Sequence, residues 1–287
     1  MPYEIITDSC CDFTEEQYAA MNVTSVPLSV VWKGECRSHF SGEDALQDFY
    51  RQMRGGLTVS TSALNPENWL AAMEPFLKRN RDLLVLTVSS GISATYQSAV
   101  IAAEELAERY PQRQIRIVDS LGGSLGEGLL LWHASRLRAA GESLKGTACW
   151  LETHSTKICH WVTVNDLSFL KRSGQLSGAA ARAGTMLDIK PIVKVTAEGK
   201  LVSDGKVRGR KASIRMLARK FAEYRDAAQE DLVTIAHGDC PEDAAFLKSI
   251  LQQEYGVRNI HVGYVGPILG AHTGPGVLGL FHIGTKR

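Results

Sequence analysis

Short apolar runs, polar turns and longer stretches with helical spacing follow one another through the first half of this chain. Tyr3 to Thr7 reads as a short buried strand that closes on Asp8-Ser9. Val23 to Trp32 reads as a second strand, and Pro27 inside it favours an edge or irregular piece. Leu83 to Val88 is a continuous apolar run bounded by turn residues, the pattern of a parallel strand covered on both faces. A polar turn, Ser89 to Thr95, precedes a helix from about Tyr96 to Arg109. Ile115 to Val118 is a third core strand, ending at Asp119-Ser120, and a helix from about Gly122 to Ala139 stops at Gly141. Repeated strand–turn–helix units predict a parallel sheet with helices on both faces. Ligands of such sheets sit beyond the carboxyl ends of the strands, where Asp8-Ser9, Ser89 to Ser93 and Asp119-Ser120 all fall.

Two regions break this rhythm. Gly34 to about Gly56 carries short polar stretches with few strong core signals and reads as an insertion or lid. From about Thr153 the pattern changes. His160 to Val164 reads as a strand and Asp166 to Lys171 as the start of a helix. Pro191 to Thr196 and Lys200 to Val207 form a hairpin through Ala197-Glu198-Gly199. Ile214 to Tyr224 is helical, Leu232 to Ala236 a strand, and Pro241 opens a helix to about Tyr255. Ile260 to Val265 and Val277 to Ile283 are strands flanking Gly270-Ala271-His272-Thr273-Gly274-Pro275-Gly276, a turn too rich in Gly and Pro to read as helix or strand. The expected architecture is α/β in two domains. A three-layer α/β/α parallel-sheet domain, residues 1–153, precedes an α+β domain with a mixed sheet, residues 154–287.

Composition narrows the function classes. The 287 residues are 44% hydrophobic and 22% charged, ordinary for a globular protein with a sizeable core. A net charge of +1 gives no electrostatic case for nucleic acid or a membrane surface. There is no run of about 18 apolar residues that would span a bilayer. The opening Met1-Pro2-Tyr3-Glu4 lacks the basic and apolar regions of a signal peptide, so a cytoplasmic location is expected. The six cysteines lack CxxC spacing, which argues against zinc and a disulfide scaffold, and adjacent Cys10 and Cys11 read as buried reduced thiols. No His, Cys, Asp and Glu residues have metal-ligand spacing.

Three hydroxyl-rich turns and one imidazole remain: Ser60-Thr61-Ser62, Ser89 to Thr95, and His272-Thr273. None carries a fixed charge. One reading is a serine hydrolase or acyltransferase, with Ser93 as nucleophile and His272 as base. However, the second elbow glycine is missing and no acid near His272 in sequence would orient it. Another is a carboxylate or phosphate site, since the helix after Ser93 presents backbone N–H groups and the positive end of its dipole. Taken singly, Ser93, Thr61 and Ser62 also read as helix caps, and His272 as a structural histidine. Nucleotide chemistry is weakly supported: no GxxxxGK[ST] is present, nor a strand-linked GxGxxG with a following acid. Basic residues gather at Lys206, Arg208, Arg210, Lys211 and Arg215, and again at Lys171-Arg172, as a solvated face or a docking surface for an acidic or phosphate-bearing partner.

The assembled motifs resemble the DegV family of bacterial lipid-binding proteins, which includes the fatty-acid-binding subunits of fatty-acid kinase. The matching segments are Ile6 to Ser9, Thr61-Ser62, Val88 to Ala99, Ile117 to Ser120, Leu170 to Gly174, Leu187 to Ile192 and Gly270 to Gly276. They span nearly the whole chain. The family usually has Gly where this chain has Ala94. The resemblance implies a long-chain fatty acid held between the domains, no cofactor and no catalysis by this chain alone. It implies that Thr61, Ser62, Ser93, His272 and Thr273 hold the lipid carboxylate, which a separate ATP-dependent kinase converts to an acyl-phosphate. Arg172, Arg208 and Arg210 would then face that kinase.

Overall fold

The computed structural model describes residues 3–40, 42–165, 167–174, 188–229 and 231–287. The strands are β1 (Tyr3–Asp8), β2 (Val23–Val26), β3 (Ser29–Trp32), β4 (Glu35–Arg37), β5 (Ser60–Ser62), β6 (Asp82–Thr87) and β7 (Ile115–Asp119) in the first half. The second half has β8 (Ile158–Thr163), β9 (Ile189–Val195), β10 (Leu201–Arg208), β11 (Val233–His237), β12 (Ile260–Tyr264) and β13 (Leu278–Ile283). The helices are α1 (Glu15–Ala20), α2 (Gly42–Arg54), α3 (Pro66–Lys78), α4 (Thr95–Arg109), α5 (Leu125–Ala139), α6 (Leu144–Ser155), α7 (Ser168–Arg172), α8 (Arg210–Tyr224), α9 (Pro241–Tyr255) and α10 (Pro267–Thr273).

β2-β1-β6-β7 form the expected parallel sheet. All six residues of β6 are buried, because successive side chains enter opposite layers. Leu83 and Val85 join the core under α3 and α4, while Leu84 and Leu86 join the core under α5 and α6. The second sheet is mixed, in the order β10-β9-β8-β13-β11-β12, with only β11 and β12 parallel. The β9–β10 hairpin pairs Leu201 with Val195 and continues to Arg208 opposite Ile189. Its tip reaches the first sheet: Ser89 Oγ donates to the Gly199 carbonyl at 2.9 Å. Gly199 sits at φ +72°, and a Cβ there would collide with the Ser89 hydroxyl, so glycine is required on both counts. The Arg287 guanidinium adds a second tie, donating to the carbonyls of Val195, Ser155 and Leu121.

Several boundaries differ from expectation. The run Val23 to Trp32 is two strands: β2 stays in the parallel sheet, and after Pro27 the chain leaves it to form a three-stranded sheet, β4-β3-β5. The Gly34 to Gly56 segment is anchored in the core through α2 rather than being a loose insertion. It holds β4 and the 13-residue α2, whose Phe49, Tyr50 and Met53 are 3% exposed or less. Thr61 and Ser62 lie in β5 rather than capping a helix; Asn65 caps α3, in a reciprocal box with Asn68. α7 begins at Ser168, and Asp166 and Leu187 lie outside the described residues.

Candidate functional site

The Ser89 to Thr95 turn is held by acceptors at the ends of neighbouring strands. Asp8, at the end of β1, accepts from the backbone N–H groups of Val88 (2.7 Å) and Cys10 (2.8 Å). Asp119, at the end of β7, accepts from those of Ser90 and Leu121. The turn delivers Ser93 to the start of α4, whose N-cap is Ala94. Ser93 Oγ still serves the helix end, accepting from the Thr95 N–H at 3.2 Å and donating to Thr95 Oγ1 at 2.9 Å.

His272 is not in an irregular turn. Pro267 sits at the first turn of α10, where its missing N–H costs nothing, and Gly274 at φ +78° ends the helix. His272 therefore stands in the last turn of α10. Tyr50 anchors that helix: its hydroxyl donates to the Val265 carbonyl at 2.6 Å, and its ring lies where a side chain on Gly270 would be. His272 Nε2 and Thr61 Oγ1 are hydrogen-bonded at 2.9 Å. Burial pushes the imidazole pKa below its usual value, so His272 is neutral near pH 7.

These groups open into one cavity of about 240 Å³. Thr61, Ser93, His272 and Thr273 line it, with Cys10, Leu28, Ile92, Ala94, Leu201 and Leu269 among the apolar and thiol walls. Among the described residues, no lining residue is charged. The 15-residue α4 points its positive end at this cavity through Ser93 and Ala94. Ser62 is not brought here: it is exposed, and its hydroxyl turns to the Ala63 carbonyl. The Thr273 hydroxyl is engaged by the Leu269 carbonyl at 2.9 Å. A second, smaller cavity of about 70 Å³ adjoins the first, and Ile92, Leu201, Leu269 and Thr273 face both. Its other walls include Val162, Leu170, Val193, Val265 and Phe281. The pair is thus a neutral polar mouth backed by an apolar interior, built from both sheets.

Hydrolase geometry does not assemble. His272 bonds to Thr61, Ser93 to Thr95, and among the described residues no carboxylate acts on His272. Among the described residues, no group of His, Cys, Asp and Glu could hold a metal ion, and no helix is long and apolar enough to cross a membrane.

The three basic residues have different surroundings. Arg172 is exposed, donates to Thr58 Oγ1 at 3.2 Å and lies over the Phe169 ring, which packs on Gly274. Arg208 is exposed at the end of β10. Arg210 is not a free surface cation. Its guanidinium donates to Asp243 (2.8 Å) and to the Gly276 carbonyl (2.7 Å), and so braces the turn after α10.

Near Asp8 lie two further buried acids, Asp12 and Glu127, that sequence reading did not single out. Burial pushes Asp8 up to about 6 and Asp12 up to about 7, and Glu127 well above the usual carboxylate range. Ser124 donates to Asp12 at 2.5 Å. A raised carboxyl pKa means that the folded chain binds protons the unfolded chain releases, so this contribution to stability shrinks as pH rises toward and through the folded value. Asp12→Asn should therefore lose less stability than the wild type between pH 6.5 and 8, by about 1 kcal/mol. Buried histidines are common to both proteins and cancel. Parallel denaturant titrations at the two pH values check this; equal slopes would remove Asp12 as the source.

Leu201, Leu269 and Tyr50 were also missed as site residues. Leu269 directly precedes Gly270, so its place beside the turn was readable. Leu201 and Tyr50 reach the site only through tertiary packing.

Comparison with known proteins gives one consistent family. The family model described as "Uncharacterised protein, DegV family" matches residues 2–285. A DegV domain-containing protein of Clostridium perfringens is 35% identical over 286 residues, covering 99% of this chain and 98% of its own. One from Lactococcus lactis is 34% identical, covering 100% and 99%. Among solved structures, a fatty-acid-binding DegV family protein from Thermus thermophilus is 26% identical with a TM-score of 0.88, covering 99% of this chain and 100% of that one. DegV of Bacillus subtilis, described as a fatty acid binding protein, is 26% identical with a TM-score of 0.83, each chain 98% covered.

Proposed function

Since this chain belongs to the DegV family, we propose that it is a cytoplasmic, non-catalytic lipid carrier. It binds a long-chain fatty acid in the paired cavities and presents the carboxylate to a separate ATP-dependent fatty-acid kinase for acyl-phosphate formation. One observation carries the reading: neutral hydrogen-bonding groups, Thr61, Ser93 and His272, line a cavity that shares walls with an apolar one, and among the described residues no charged side chain lines the first. The fatty-acid-binding descriptions of the Thermus and Bacillus proteins support it.

The energetics agree with that division of labour. Burial of a tail is worth about 0.8 kcal/mol per methylene, so a chain of about 14 methylenes offers roughly 11 kcal/mol before ordering costs. The head group needs only orientation and satisfied hydrogen bonds. A buried arginine would hold the carboxylate as an ion pair and lower its nucleophilicity; hydroxyls and a neutral imidazole leave it reactive. The kinase step rests on the sequence motifs shared with the family. Arg172, beside the end of α10, and Arg208 are the exposed cations assigned to the docking face. Arg210 shapes that face indirectly through Gly276.

The purified protein is expected to carry the ligand. Denaturation, solvent extraction and mass spectrometry should release close to one equivalent of fatty acid. A clean extract followed by no uptake of added palmitate or oleate would overturn the proposal.

A further inference from the structure

We infer that Phe281, backed by His160, is the end stop that sets the acyl-chain length this protein accepts. The inference rests on the fatty-acid reading above and adds what decides between lipids.

Phe281 and His160 stand opposite each other on the antiparallel strands β13 and β8. Their rings meet edge to face, with centroids 5.2 Å apart and planes at 87°. Both rings line the apolar cavity but not the polar mouth. On the same face of β13, Gly279 lies two residues before Phe281 and also lines the cavity. From Val277, near the end of α10, the strand advances about 14 Å to Phe281 at roughly 3.4 Å per residue. The Phe281 ring leans back over Gly279, and since neither aromatic residue shares a cavity wall with Thr61 or His272, the pair stands on the side of the paired cavities away from them.

This wall is apolar despite containing a histidine. His160 Nδ1 is bonded to the Ile158 carbonyl at 2.9 Å, and Nε2 accepts from the Gly123 N–H at 3.3 Å. No ring nitrogen is left to bind a polar chain end, so the wall fits a terminal methyl group. The wall also cannot retreat. His160 fills the space left by Gly122 and Gly126, where a Cβ on either residue would collide with its ring. Gly279 is equally tight: a Cβ there would stand 2.6 Å from the Phe281 ring. Enlarging residue 279 and trimming residue 281 should thus move the end of the cavity in opposite directions.

The test is competition for an equimolar mixture of saturated fatty acids of graded length. Each protein is equilibrated with the mixture, re-isolated and extracted, and the bound acids are counted by mass spectrometry. Phe281→Ala should shift the bound distribution toward longer chains, by about two to four carbons. Phe281→Leu should shift it the same way by less, and Gly279→Ala should shift it toward shorter chains. A purely structural role would lower the melting temperature or the occupancy without moving the lengths. An unchanged distribution in folded Phe281→Leu and Gly279→Ala overturns the inference, even if Phe281→Ala does not fold. If the wild type itself takes up no acid, the fatty-acid reading fails instead.

Discussion

Replacing His272 by alanine is expected to slow acyl-phosphate formation about a hundredfold while most of the lipid stays bound. The argument is a comparison of magnitudes. Retention draws on the tail, at about 0.8 kcal/mol per methylene. One hydrogen bond to the head group adds about 1 kcal/mol, so its loss weakens binding by less than tenfold. Transfer depends on where the carboxylate points, and misplacement by an ångström can cost a hundredfold in rate. His272 and Thr61 are bonded at 2.9 Å, so removing the imidazole also frees the Thr61 hydroxyl to turn. Two measurements decide: transfer from ATP by the partner kinase under single-turnover conditions, and lipid content after re-isolation. A parallel fall of both would show that His272 retains the lipid rather than orienting it. Ser93→Ala should behave in the same way but more mildly, because α4 keeps its dipole end at the site.

Tyr50→Ala is expected to destabilise the protein by about 3–5 kcal/mol. Tyr50 is fully buried, packs edge to face on Phe49 with centroids 5.1 Å apart, and presses on Gly270 in α10. Its hydroxyl satisfies the Val265 carbonyl just before α10 begins. Removing the ring leaves a cavity under the helix that carries His272, and removing the hydroxyl strands a buried acceptor. Tyr50→Phe separates the two effects and should cost about 1–2 kcal/mol. Urea unfolding of the three proteins measures both. A loss below about 1 kcal/mol for Tyr50→Ala would mean that α2 packs only loosely on the site.

That prediction rests on the segment where the sequence reading went furthest astray. Residues 34–56 read as polar because α2 places its apolar side chains on one narrow face. Glu43, Asp44, Gln47, Asp48, Arg51, Gln52 and Arg54 dominate the composition. Three buried residues, Phe49, Tyr50 and Met53, are enough to seat the helix. The His272 turn misled for a related reason. Gly and Pro are breakers inside a helix, but at its two ends they are boundary residues, and α10 is little more than its boundaries. Where local rules had only one solution, they succeeded. The buried strand β6, the start of α9 at Pro241, and the β9–β10 hairpin all lie within a few residues of expectation. The polar turns at the ends of β1, β6 and β7 were read as the ligand-facing edge, and two of them carry the carboxylates that hold the Ser93 turn.

The sequence by itself therefore determined the main strands and helices of the two larger sheets, the parallel character of one and the mixed character of the other, and the set of uncharged polar turns. Hydrophobic period, caps and turn residues act over a few positions and leave a readable signature. Only the tertiary structure decided which turns meet. Thr61 and His272 are 211 positions apart, and their contact depends on Tyr50 seating α10 and on Gly199 letting the hairpin tip close on Ser89. It also decided that Ser62 faces solvent, that Arg210 braces a turn, and that Phe281 lines the apolar cavity. These outcomes follow from the volume and close approach of side chains remote in sequence, and no local pattern encodes a distance between them.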